Sequence, residues 1–129
     1  MNEKDKTDSS TLAMSRTTVM KGVKKKRISY LDIKRVDQKA HTFKLPDTTD
    51  TVLGRTNDNL ITLPFPNVSR HHSRIFKSNE DYLIEDLGST NGTYVNGIKI
   101  AKCVLRTNDI IQVGDTRMVY FEREEICQS

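Results

Sequence analysis

Apolar positions are spread unevenly along the chain. From Met1 to about Arg27 there is almost nothing to bury, whereas from Ile28 to Phe121 apolar residues recur every few positions. The recurrence is short-period. Ile28, Tyr30, Asp32 and Lys34 alternate with Ser29, Leu31, Ile33 and Arg35, so an extended strand sends the two sets to opposite faces. Further short runs follow at His41–Leu45, stopped by Pro46-Asp47, at Thr51–Arg55 and at Leu60–Leu63. The last is closed by Pro64 and Pro66, which lack the N–H that a strand ladder needs. Ser73–Lys77 and Tyr82–Leu87 come next, on either side of a polar turn. Thr93–Val95 and Ile98–Ile100 flank Asn96-Gly97, a pair that accepts the positive φ of a type I′ turn and so signals a hairpin. Val104-Leu105, Ile110–Val113 and Arg117–Phe121 complete the set, and no segment shows helical spacing. About eleven short, mostly antiparallel strands at regular intervals predict an all-β sandwich.

Composition divides the chain around that pattern. Residues 1–26 are rich in Ser, Thr, Asp and Lys, too polar to offset their ordering entropy, and are expected to form a disordered tail. Residues 27–123 are expected to be the folded domain, with 124–129 the start of a linker. The net charge of +4, from 21 Lys and Arg against 17 Asp and Glu, is too small to name a partner. The 2 cysteines, Cys103 and Cys127, have no metal-ligand spacing and do not make a disulfide framework; they read as reduced thiols. With no apolar run of signal-peptide or transmembrane length, the expected location is cytoplasmic, with no membrane partner.

The residues argue against catalysis in this chain. Gly-x-Ser-x-Gly, His-Glu-x-x-His and Gly-Lys-Ser/Thr are all missing. Gly88-Ser-Thr-Asn-Gly-Thr93 has the look of a phosphate loop but lacks the following Lys and helix. His71 and His72, as strand neighbours, would point to opposite sides and not hold one metal, so no metal or cofactor is expected. Recognition of a phosphate fits better. A phosphate dianion needs a guanidinium, hydroxyls and backbone amides converging on it, which the loops at one end of a sandwich can supply. Arg55 follows a glycine at a strand end, Ser69-Arg70 sits in a loop bounded by prolines, and Ser89–Gly92 sits in another. Taken singly, these are also what a surface ion pair and two ordinary turns look like.

In combination the three segments carry a resemblance. Leu53-Gly-Arg55, Val68-Ser-Arg-His-His-Ser-Arg-Ile75 and Asp86-Leu-Gly-Ser-Thr-Asn-Gly-Thr-Tyr-Val-Asn-Gly97 are similar, in order and separation, to the motifs of the forkhead-associated (FHA) family, over about Arg27 to Arg123. The resemblance implies a phosphothreonine-binding module. By it, Arg55 grips the phosphate, Ser69 bonds a phosphate oxygen and Arg70 adds to it. Thr90 belongs to the loop that walls a pocket for the threonine methyl, and Asn91 holds the peptide backbone. Gly54, His72 and Gly92 support the loops. Asn67 and the Gly114-Asp115-Thr116 loop are the surface expected to read the third residue after the phosphothreonine.

The tail adds a candidate ligand. Arg16-Thr-Thr-Val19 resembles the N-terminal phosphorylation sites of bacterial FHA proteins that bind their own tails, in cis or trans, after a Ser/Thr kinase has acted; Thr17 and Thr18 are the candidates. The ten residues from Thr18 to Ile28 span at most about 35 Å and on average about 17 Å. A tethered ligand would then be present at an effective concentration of about a millimolar. The resemblance also allows a regulatory input domain of a larger enzyme such as a GGDEF diguanylate cyclase, acting in cyclic di-GMP signalling. The run Lys24-Lys-Lys-Arg27 reads as a solvated linker, a kinase-recruiting patch, a nuclear localisation signal or a nucleic-acid patch; with no aromatic residues interleaved it argues against a single-strand platform.

Overall fold

The computed structural model describes residues 23–35 and 38–128. Among them are eleven strands and no helix, as the short-period pattern predicts. They are β1 (Val23–Lys34), β2 (His41–Lys44), β3 (Thr51–Gly54), β4 (Ile61–Thr62), β5 (Ser73–Ser78), β6 (Asp81–Asp86), β7 (Thr93–Val95), β8 (Ile98–Ile100), β9 (Lys102–Val104), β10 (Ile110–Val113) and β11 (Thr116–Gln128). One sheet runs β9-β6-β5-β3-β4 and the other β2-β1-β11-β10-β7-β8. Neighbours pair antiparallel from β5 to β6 and from β10 to β11, while β3 and β4 pair in parallel.

Residues 28–122 form one compact unit. Its core collects the inward positions of both sheets: Leu31 and Ile33 of β1, Leu53 of β3, Ile75 and Ile84 of β5 and β6, Ile111 and Val113 of β10, and Met118 and Tyr120 of β11. Each contributes roughly 1.5–3 kcal/mol by leaving water. In β1 the inward set is Ser29, Leu31 and Ile33. Ser29 is buried because its hydroxyl donates to the Tyr120 hydroxyl at 2.8 Å, which in turn donates to Glu122 at 2.7 Å. Burial, more than any other cause, raises the Tyr120 phenol above its ordinary value.

The strands at the two ends run past the alternating pattern. β1 begins at Val23 and β11 reaches Gln128, so residues 23–26 and 124–128 are extended. Residues 23–27 and 123–128 belong to a second unit. In it Lys25 and Glu124 pair at 3.8 Å. The basic run on β1 and the acidic residues of β11 lie on neighbouring strands. Opposite charges across a ladder favour pairing without any apolar alternation. Residues 1–22, including Thr17 and Thr18, lie outside the described residues.

Candidate functional site

The loop after β3 is fixed by close backbone approach. Gly54 is buried, and a Cβ there would run into the Arg70 carbonyl and the Asn59 amide. Only glycine permits that contact. Asn59, 8% exposed, fills the gap: its Nδ2 donates to the Arg70 carbonyl at 2.7 Å and to the Thr56 carbonyl at 2.8 Å. Its Oδ1 accepts from His71 Nδ1 at 2.9 Å. The buried amide is thereby satisfied and ties the two loops together. Nothing in the sequence marked Asn59 beyond its place in a polar turn.

Arg55 follows directly. Its backbone N–H donates to the Ser69 carbonyl at 2.9 Å, and its Nη1 donates to the Val68 carbonyl at 2.7 Å. The exposed guanidinium makes no ion pair among the described residues, so most of its donors remain available. Arg70 is also exposed; its carbonyl is held by Asn59 and Thr56, and its side chain makes no ion pair among the described residues.

His72 braces the next turn from below. It is fully buried; its Nδ1 accepts from the Ser69 N–H at 3.1 Å, and its Nε2 donates to the Gly92 carbonyl at 2.8 Å. A carbonyl only accepts and an N–H only donates, so this pairing requires the neutral ring with the proton on Nε2. One side chain therefore joins the Ser69 loop to the Gly92 loop. His71 is exposed, bonded to Asn59 and 3.7 Å from Asp58. The two rings point apart, and no group of three or more His, Cys, Asp or Glu suited to a metal occurs among the described residues.

The third loop, Leu87–Gly92, is shaped by Asp86 at the end of β6. Asp86 accepts from Ser89 Oγ at 2.6 Å, from the Ser89 N–H at 3.0 Å and from Thr93 Oγ1 at 2.7 Å. Thr93 accepts in turn from Ser73 Oγ at 2.7 Å. Burial raises the carboxyl's proton affinity, but the bonds from Ser89 and Thr93 outweigh it and hold Asp86 below the usual carboxylate range. Ser89 Oγ also accepts from the Gly92 N–H at 2.9 Å, and Gly92 sits at φ +91°. The sequence motif contained Asp86, but its role needed the three-strand geometry.

These braces bring the expected residues together. The Thr90 N–H donates to Ser69 Oγ at 3.1 Å, so the Ser69 hydroxyl keeps its own proton to donate. Asn91 Nδ2 donates to the Asn67 carbonyl at 3.0 Å, leaving its Oδ1 open. Thr90 and Asn91 are exposed. Past Asn91 lies a groove of about 430 Å³ lined by Asn67, Asn91, Tyr94, Gln112 and Gly114, among others. Lys99, not singled out in the sequence, is cross-strand partner to Tyr94. A Cβ on Gly92 would meet Lys99 Cε at 2.9 Å and Tyr94 Cε1 at 3.3 Å, so the stem of Lys99 and the Tyr94 ring pack against the Gly92 backbone.

Comparison with known proteins agrees with this architecture. The profile of the FHA domain matches residues 51–114. The oxoglutarate dehydrogenase inhibitor of Corynebacterium jeikeium is 38% identical over 90 residues, 70% of this chain and 62% of that protein. The glycogen accumulation regulator GarA of Mycobacterium tuberculosis is 37% identical over 90 residues, 70% of this chain and 55% of its own length. The chain thus matches less than two thirds of these relatives' length. A domain solved in a study of phosphothreonine-dependent FHA domain interactions superposes with a TM-score of 0.66 at 30% identity, covering 73% of this chain and 95% of that one. On fold, motif order and these matches, the chain belongs to the forkhead-associated (FHA) family.

Proposed function

We propose that this chain is a non-catalytic signalling module that binds phosphothreonine in a partner protein made by Ser/Thr kinase action. The observation that carries the reading is the state of Ser69. Its hydroxyl accepts from the Thr90 N–H and so keeps its own proton to donate, on the loop to which Arg55 is bonded. A guanidinium and a hydroxyl held this way need little reorganisation to meet a phosphate. Arg70 supplies a second cation, and Asn91 Oδ1 an acceptor for a peptide N–H. Thr90 and its loop would receive the threonine γ-methyl, worth about 1 kcal/mol over phosphoserine. An NMR titration with a phosphothreonine peptide tests the reading: shifts should concentrate at Arg55, Ser69, Thr90 and Asn91. Saturable shifts that spare all four would refute it.

The phosphorylated tail is a specific ligand within this reading. Phosphate on Thr17 places Met20 three residues on; phosphate on Thr18 places Lys21 there. A tail whose Thr18 lies five residues before β1 would compete with partners as a tethered ligand. Phosphorylation of the full chain at Thr17 should move the Arg55 and Ser69 signals, without concentration dependence if the ligand is in cis. Unmoved signals would remove the tail from the proposal and leave partner binding standing.

A further inference from the structure

The loop after β3 and the turn that carries Ser69 meet backbone to backbone. Gly54 lies against the Arg70 carbonyl, with no room for a side chain between them. The Arg55 N–H donates to the Ser69 carbonyl at 2.9 Å, and the His72 N–H donates to the Leu53 carbonyl at 2.8 Å. The Arg70 carbonyl, between them, has no backbone donor among the described residues. It is held instead by the side chain of Asn59, whose Nδ2 donates to it at 2.7 Å.

Asn59 is itself immobilised. Its backbone N–H and its Nδ2 both donate to the Thr56 carbonyl, at 3.2 and 2.8 Å. Its Oδ1 accepts from His71 Nδ1 at 2.9 Å, and the residue is buried. Two carbonyl oxygens, those of Thr56 and Arg70, face the amide nitrogen, so only a donor fits there and the side chain has one orientation.

Arg70 is thereby anchored through both of its peptide groups. The peptide before it is held at the Ser69 carbonyl by Arg55, and the peptide after it at its own carbonyl by Asn59. Those two bonds fix the backbone torsions of Arg70, and the backbone torsions limit where its side chain can point. A trans peptide directs its C=O and N–H oppositely, so the Arg70 N–H faces away from the β3 loop. That N–H has no hydrogen-bond partner among the described residues, and the exposed guanidinium makes no ion pair there.

We infer that Asn59 is a positioning residue of the phosphate site, acting through Arg70: by holding the Arg70 carbonyl it aims the Arg70 N–H and guanidinium at the phosphate. The inference rests on the phosphothreonine reading and adds to it a residue that does not touch the ligand. Its effect on binding is therefore carried by Arg70, and disappears when Arg70 has nothing left to contribute.

Calorimetry and NMR with one phosphothreonine peptide test it, on the whole chain, Asn59→Ala, Arg70→Ala and the double variant. In wild type the Arg70 amide proton should move downfield on binding. Each single variant should weaken binding about three- to tenfold, as expected for contacts to a charged group at an exposed site. The two losses should not multiply: with Asn59 replaced, Arg70→Ala should cost less than about twofold more, a coupling that general loosening of the fold does not produce. Ile111→Val, a core change outside the three loops, should lower the urea midpoint and leave affinity unchanged. Losses that multiply, wild-type affinity in Asn59→Ala, an equal loss in Ile111→Val, or a wild-type Arg70 amide unmoved by the peptide overturns the inference. Absence of saturable binding to wild type would instead overturn the phosphothreonine reading itself.

Discussion

At the scale of single residues, the site depends on groups that hold others in place. Arg55 is different, a side chain with donors to spare. Arg55→Ala should weaken phosphothreonine-peptide binding by at least about 100-fold, since bonds to a charged group are worth about 1.5–3 kcal/mol each. Urea unfolding should show the fold nearly as stable as before, because the exposed guanidinium donates only to the Val68 carbonyl. His72 should behave in the opposite way. His72→Ala strands the Ser69 N–H and the Gly92 carbonyl and empties a fully buried volume. A loss of about 2–4 kcal/mol of stability is expected, together with weakened binding. The clustering of the Arg55, Ser69 and Asn91 loops was legible from the order of their motifs, and the bracing by His72 was implied by the family resemblance. Asn59, Asp86 and Lys99 were not. An asparagine in a turn, an aspartate at a strand end and a lysine in a hairpin are common, and only register and packing bring them to the site.

At the scale of elements, Asp86 links β5, β6 and β7 through Ser73, Ser89 and Thr93. Its folded pKa is depressed, so it stabilises the domain above its unfolded value, about pH 4, and that contribution is lost as pH falls through the folded value. Asp86→Asn should therefore be less stable than wild type at pH 7, and the gap should narrow toward pH 3. Urea midpoints across that range check it; parallel curves would mean the carboxylate is not what couples the strands. Most strands were legible from alternation and turn residues, Thr93–Val95 and Ile98–Ile100 to the residue, because Asn96 and Gly97 both adopt positive φ. The parallel pairing of β3 with β4 was not, since a two-residue strand has too little pattern to show direction. Nor were the ends of β1 and β11, which carry no apolar alternation.

At the scale of the molecule, the compact unit of residues 28–122 contains all three loops and the groove. A chain of residues 27–123 should keep phosphothreonine-peptide affinity within about twofold of the full chain, as an independent domain does. A much larger change in calorimetry would assign part of the site to the flanking segments. The Lys25–Glu124 pair, with side chains 50% and 69% exposed, contributes little to stability, so losing it should hardly matter. The central claim is that this fold reads phosphothreonine. Its most direct test is calorimetry of the unmodified chain with one peptide in three forms, carrying phosphothreonine, phosphoserine or plain threonine. Saturable binding of the phosphothreonine form, about fivefold weaker binding of phosphoserine for the lost methyl and no measurable binding of threonine are expected. Equal binding of all three forms would contradict the account.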